Sequence, residues 1–214
     1  REKEASYWGR IKLVLQNKYA VGTFFITLFQ RGGLFAMTSL LTKWLQLEFG
    51  LSRSDAGLFF LGAGVAALTS NTLFSWIADK FGRRIIIILG TTLTMIWIGV
   101  FPIFSNTVPL AAMSIIILNF VGAISMGSYN SFVTDVEPNI KGTATTINNA
   151  FGQLSIAGAS TLFGKLIFDN TQNYMFVGFA AAGIYFVCII LMIIFVRPKK
   201  IDEYHAIRLQ RTKN

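Results

Sequence analysis

The chain has 214 residues, of which 53% are hydrophobic and 14% charged, with a net charge of +9. Soluble domains carry about 25% charged residues, so a solvated surface of ordinary extent is excluded. The 20 Phe and only 4 Pro exclude collagen-like and disordered chains, and the one cysteine, Cys188, excludes a disulfide framework or a cysteine zinc site built by this chain alone.

A helix crosses about 30 Å of hydrocarbon with roughly 20 apolar residues. Six segments meet that length, at about 19–46, 56–78, 85–104, 108–134, 143–168 and 174–196. Alternating apolar segments of about 10 residues, the mark of a membrane β-barrel, are absent. The fold class is therefore an all-α membrane protein with six transmembrane helices.

In chain order, residues 1–18 come first. In the stretch that holds Trp8, Tyr7, Ile11 and Leu15 recur at helical spacing with Arg10 and Lys12 between them, which predicts a short helix on the cytoplasmic membrane surface. The chain begins with Arg1 and without a signal peptide, so it is expected to be a piece of something longer. The first span carries Arg31 near its middle, with Thr23, Thr27, Gln30 and Thr38 on the same helical face. A central arginine costs about 2.5–3.5 kcal/mol on insertion scales, and it is tolerated only beside water or a partner. No acid lies at mid-depth to pair with it: Glu48 and Asp55 fall near the outer side, Asp79, Asp135 and Glu137 near the inner. Arg31 is left with a substrate anion, another subunit or a distant carboxylate.

The second span adds Asn71, and the loop after it reads Ser75-Trp76-Ile77-Ala78-Asp79-Lys80-Phe81-Gly82-Arg83-Arg84. Gly82 permits the reversal, and the arginines anchor the start of the third span at the headgroups. The third span, Ile85 to Phe104, and the sixth, Tyr174 to Val196, contain no charge. The fourth adds Asn119, Tyr129 and Asn130, and the fifth carries the stripe Thr146, Asn149, Gln153 and Ser160. Spans one, two, four and five can line a polar cavity, with three and six toward lipid. Such residues can equally hydrogen-bond between helices, worth about 0.6 kcal/mol each. Trp44 and Trp76 fall near span ends, where indole rings favour the interface. Residues 198–214 form a basic tail containing His205.

Placing both termini in the cytoplasm puts 15 of the 19 Lys and Arg on that side. This asymmetry predicts a multi-pass plasma membrane protein, in bacteria the inner membrane, with both termini cytoplasmic. It also accounts for the net charge without a nucleic-acid partner.

The loop Asp79-Lys80-Phe81-Gly82-Arg83-Arg84 resembles the signature loop of the major facilitator superfamily, with Ser75 standing where that pattern has glycine. Glu137-Pro138-Asn139-Ile140-Lys141-Gly142-Thr143-Ala144, continued by Asn148, Asn149, Gly152 and Gly158, is similar to the fifth helix of a C-terminal half in the drug:proton antiporter and sugar-efflux branch. The resemblance implies one six-helix half, a 3 + 3 inverted repeat, of a twelve-helix carrier. Residues 1–18 would then end the linker between halves and residues 19–197 form the C-terminal half. It implies further that helices one, two, four and five face the cavity, and that Asp79, Lys80, Gly82, Arg83 and Arg84 latch against the other half.

The function expected is secondary active transport by alternating access, as export of a small organic solute or drug. Import of an organic anion or sugar is the alternative, as is a non-transporting scaffold or receptor that keeps the fold. Cavity contacts are assigned to Arg31, Gln30, Thr27, Asn71, Asn119, Tyr129, Asn130, Asn149 and Gln153. The partners are the N-terminal half, the bilayer, a small-molecule substrate and, through the other half, protons. The spans hold no histidine or mid-depth acid to change charge, and no nucleophile–base pair, metal cluster or phosphate loop is present, so neither a metal, a cofactor nor an enzyme is expected.

Overall fold

The computed structural model describes residues 7–171 and 173–197. Residues 1–6 and the tail expected at 198–214 lie outside the described residues. Helices run at α1 Tyr7–Gln16, α2 Lys18–Phe49, α3 Arg53–Phe81, α4 Arg83–Phe104, α5 Val108–Ile124, α6 Met126–Asp135, α7 Lys141–Leu162, α8 Asp169–Thr171 and α9 Tyr174–Phe195. A 3-10 turn at Pro138–Ile140 leads into α7, and a π-helical stretch at Phe163–Phe168 joins α7 to α8.

The helix ends are set by local chemistry. The Asn17 side chain accepts from the Tyr19 N–H at the start of α2, and Ser52 and Asp55 form a capping box at the start of α3. Gly50, with φ +64°, closes α2 in the left-handed conformation. Gly82, with φ +95° and ψ 127°, makes the reversal between α3 and α4.

Five spans are long and apolar enough to cross a membrane among the described residues: α2, α3, α4, α5 with α6, and α9. The fifth expected span is also helical, but α7 is not among these five, because its Thr, Asn, Gln and Ser dilute its apolar content. It is held instead by close packing along α2.

The packing carries the repeat. The close pairs are α2 with α7 and α9, α4 with α5 and α9, and α3 with α5. Exchanging the triplet α2, α3, α4 for the triplet α5/α6, α7, α9 turns α2–α7 into α5–α3, and α2–α9 into α5–α4. The α4–α9 pair maps onto itself. The described helices are thus arranged as a 3 + 3 repeat. The order of neighbours is α7, α2, α9, α4, α5, α3, and α3 at one end buries the smallest share of its surface.

Two large apolar clusters fill the bundle, with a smaller one at Ala78, Ile86 and Ile124. One, at the far end from the described termini, gathers Met37, Leu41, Trp44, Phe101, Phe168, Tyr174 and Tyr185. The other gathers Val14, Phe24, Ile26, Tyr129, Phe132, Cys188 and Met192. Trp44 departs from expectation. It stacks on Tyr174 at 4.8 Å between ring centres and is 6% exposed, so it serves the core rather than the lipid interface. Trp76 is exposed, with the Lys80 ammonium 3.8 Å above its ring.

Candidate substrate cavity

Arg31 lies about 20 Å along α2 from Lys18, at 1.5 Å per residue. It is half-buried, and its Nη2 donates to Asn149 Oδ1 on α7 at 3.2 Å. No carboxylate among the described residues lies within ion-pair distance of it. The guanidinium rests on the α7 backbone at Gly152, where a Cβ would stand 2.6 Å from Nη1. One residue on, Gly32 faces Ser155, whose hydroxyl donates to the Leu28 carbonyl. Small residues on both helices thus let α2 and α7 approach closely enough for the arginine to reach Asn149.

The expected cavity residues separate into three groups. Asn149 and Gln153 share the exposed face of α7 with Thr146, and Asn130 is exposed on α6. Beside them, Arg31 is half-buried. Gln30 is half-buried and donates to Ser125 Oγ at 3.0 Å, at the break between α5 and α6. Asn119 is half-buried and donates to the Ile115 carbonyl of its own helix at 2.9 Å. Asn71 packs against Gly127 of α6 beside Ser75, its Oδ1 buried without a partner among the described residues.

Thr27 and Tyr129 form the third group, and both are buried. The Thr27 hydroxyl lies 3.0 Å from Tyr129 Oη and donates to Asn148 Oδ1 at 2.7 Å, while Tyr129 Oη donates to the Thr23 carbonyl at 2.6 Å. This network ties α2, α6 and α7 together and has almost no surface for a solute. Asn148 is the member not foreseen. Adjacent positions on a helix point about 100° apart, so of the pair Asn148-Asn149 one turns into the packing and the other to the open face.

The α3–α4 loop builds a charged chain at the end that holds the described termini. Arg83 Nη1 meets Asp135 Oδ2 at 2.8 Å, Arg83 Nη2 lies 3.7 Å from Asp79 Oδ1, and Lys141 Nζ lies 3.8 Å from Asp135 Oδ1. All are substantially exposed, where such pairs are worth about 0–1 kcal/mol each. Arg84 donates to the Ile193 carbonyl near the end of α9 at 3.3 Å, and Arg197 donates to the same carbonyl at 3.2 Å. Lys80 stays over Trp76. Within this half, Asp135 therefore anchors Arg83, while Arg84 caps a helix. Nearby, Asn17 donates to Glu137 Oε1 at 2.8 Å and the Val136 carbonyl at 3.3 Å, and both side chains are buried.

Among the described residues no group of three or more His, Cys, Asp or Glu could hold a metal ion. The Cys188 thiol is buried and donates to the Ile26 carbonyl at 3.7 Å.

Comparison with known proteins covers the same helices. The chain is 25% identical over 211 residues to the cis,cis-muconate transport protein of Acinetobacter baylyi, covering 96% of this chain and 50% of that protein. It is 26% identical over 150 residues to the uncharacterized MFS-type transporter YceJ of Bacillus subtilis, covering 69% of this chain and 37% of that protein. The chain thus spans half or less of the length of these relatives. A crystal structure of the E. coli fucose:proton symporter FucP superposes with a TM-score of 0.70 at 15% identity, over 91% of this chain and 47% of that one. The family description "Major Facilitator Superfamily" matches residues 23–211, most of the chain, and the chain belongs to that family.

Proposed function

We propose that the chain forms one half of a secondary active transporter, which moves a small organic solute by alternating access of two six-helix halves. The observation that carries this reading is Arg31: a half-buried guanidinium far from both ends of α2, with no carboxylate partner among the described residues. Facing oil, that charge would cost several kcal/mol; facing a wet cavity shared with a second half, it is accommodated. The partner is then the N-terminal half, set against the open face of α7 and the lightly buried α3. Asp79, Lys80, Gly82, Arg83 and Arg84 meet that half at the cytoplasmic end and bias the carrier outward-open. The lysine and arginine asymmetry supports cytoplasmic termini, and the bacterial relatives support the inner membrane.

Between drug export by a drug:proton antiporter and carriage of an organic anion, a free positive charge favours the anion. A relative named for the transport of muconate, a small dianion, supports the same choice. The test is Arg31→Ala in the full protein. Loss of flux with normal membrane insertion is expected; flux at the wild-type level would refute the cavity role. Uptake assays in right-side-out and inverted vesicles give the direction.

A further inference from the structure

We propose that Arg31, Asn149 and Gly152 form a directional clamp for a carboxylate of the transported solute, with Gly152 setting where the guanidinium lies; this rests on the carrier reading above. Asn149 accepts from Arg31 through Oδ1 at 3.2 Å. An amide that turns its oxygen to the arginine turns its NH2 away, so the Nδ2 of this exposed side chain is offered outward as a donor. With the remaining guanidinium N–H groups, the site offers donors in excess, its amide oxygen being turned to the guanidinium. That set complements the lone pairs of a carboxylate and disfavours a cation.

Gly152 is one turn beyond Asn149 on the same side of α7. A Cβ there would stand 2.6 Å from Arg31 Nη1 and 2.7 Å from its Cδ, well inside contact. The arginine occupies the space that a side chain here would take, so any side chain at this position would force it to move. No acidic group among the described residues uses the charge.

The test uses the full carrier in detergent and in liposomes, with acetate, benzoate, adipate and the corresponding amides as probes. Binding is read as a rise in Tm, and flux as counterflow. At least one acid is expected to raise Tm where its amide does not. Asn149→Asp sets a carboxylate of the chain's own against the guanidinium and should weaken that acid at least tenfold. Gly152→Ala should weaken it to a similar degree, and Asn149→Asp, which needs no added space, carries the test if Gly152→Ala fails to fold. Equal effects of acid and amide, no effect of any of the three acids, or wild-type binding by Asn149→Asp would each overturn the clamp. Counterflow failing for acids, sugars and drugs alike in a correctly inserted carrier would instead overturn the carrier reading.

Discussion

Tyr129→Phe separates a structural tie from a substrate contact. The change removes one oxygen and with it two contacts, the 2.6 Å bond to the Thr23 carbonyl and the 3.0 Å contact with Thr27. Interhelical hydrogen bonds in membranes average about 0.6 kcal/mol and reach about 1.7. Two of them give about 1–2 kcal/mol, toward the upper end because the ring is buried and no water replaces the hydroxyl. Thr27 keeps its 2.7 Å bond to Asn148, so no buried hydroxyl is orphaned and the loss stays in that range. The assay is unfolding of the purified full-length protein in mixed micelles of increasing SDS content, paired with the kinetics of the proposed transport. The expected result is a stability loss of about 1–2 kcal/mol with KM within twofold of wild type. A variant as stable as wild type, with KM raised more than tenfold, would refute the assignment and return Tyr129 to the cavity.

Three further outcomes follow from the same geometry. Gly82→Asn should cost about 1–3 kcal/mol through backbone strain alone, since φ +95° with ψ 127° lies outside the left-handed helical region and nothing crowds a Cβ there; Gly50→Asn, at φ +64° and ψ 18°, should be nearly neutral, both read by thermal unfolding. Gly90→Ala places a methyl 2.7 Å from the Ser125 nitrogen and from Ile124 Cγ2, and should lower stability by about 1–3 kcal/mol by forcing α4 off the α5–α6 break. In a double-mutant cycle, Arg83→Ala with Asp135→Ala should show a coupling of about 1 kcal/mol or less that shrinks in 1 M salt, because both partners are exposed.

Span positions were legible because hydrocarbon thickness imposes them: each expected segment corresponds to a helix or a near-continuous run of helix, and the glycine of the Asp79–Arg84 loop is the turn. Which polar residue faces which way was less legible. Thr27 and Arg31 are one turn apart and share a face, yet the shorter side chain is walled in by Tyr129 and Asn148 while the longer one reaches past them to the surface. Side-chain length and the proximity of the next helix decide this, and neither is periodic in sequence. Gly152 shows the same limit: its importance lies in an arginine 121 positions earlier, a relation that no local pattern carries. Asp135 stood out only as an acid near the inner boundary, because its partner Arg83 lies 52 residues away.

The separation of 118 positions from Arg31 to Asn149 imposes a waiting time during synthesis. At about 5–20 residues per second, roughly 6–24 s separate the emergence of the guanidinium from that of the amide that holds it. Through that interval α2 is a span with a charge and no ally, so it must be sheltered at the insertion machinery or against segments made earlier. The most exposed moment of α2 during synthesis is therefore written into its separation from α7.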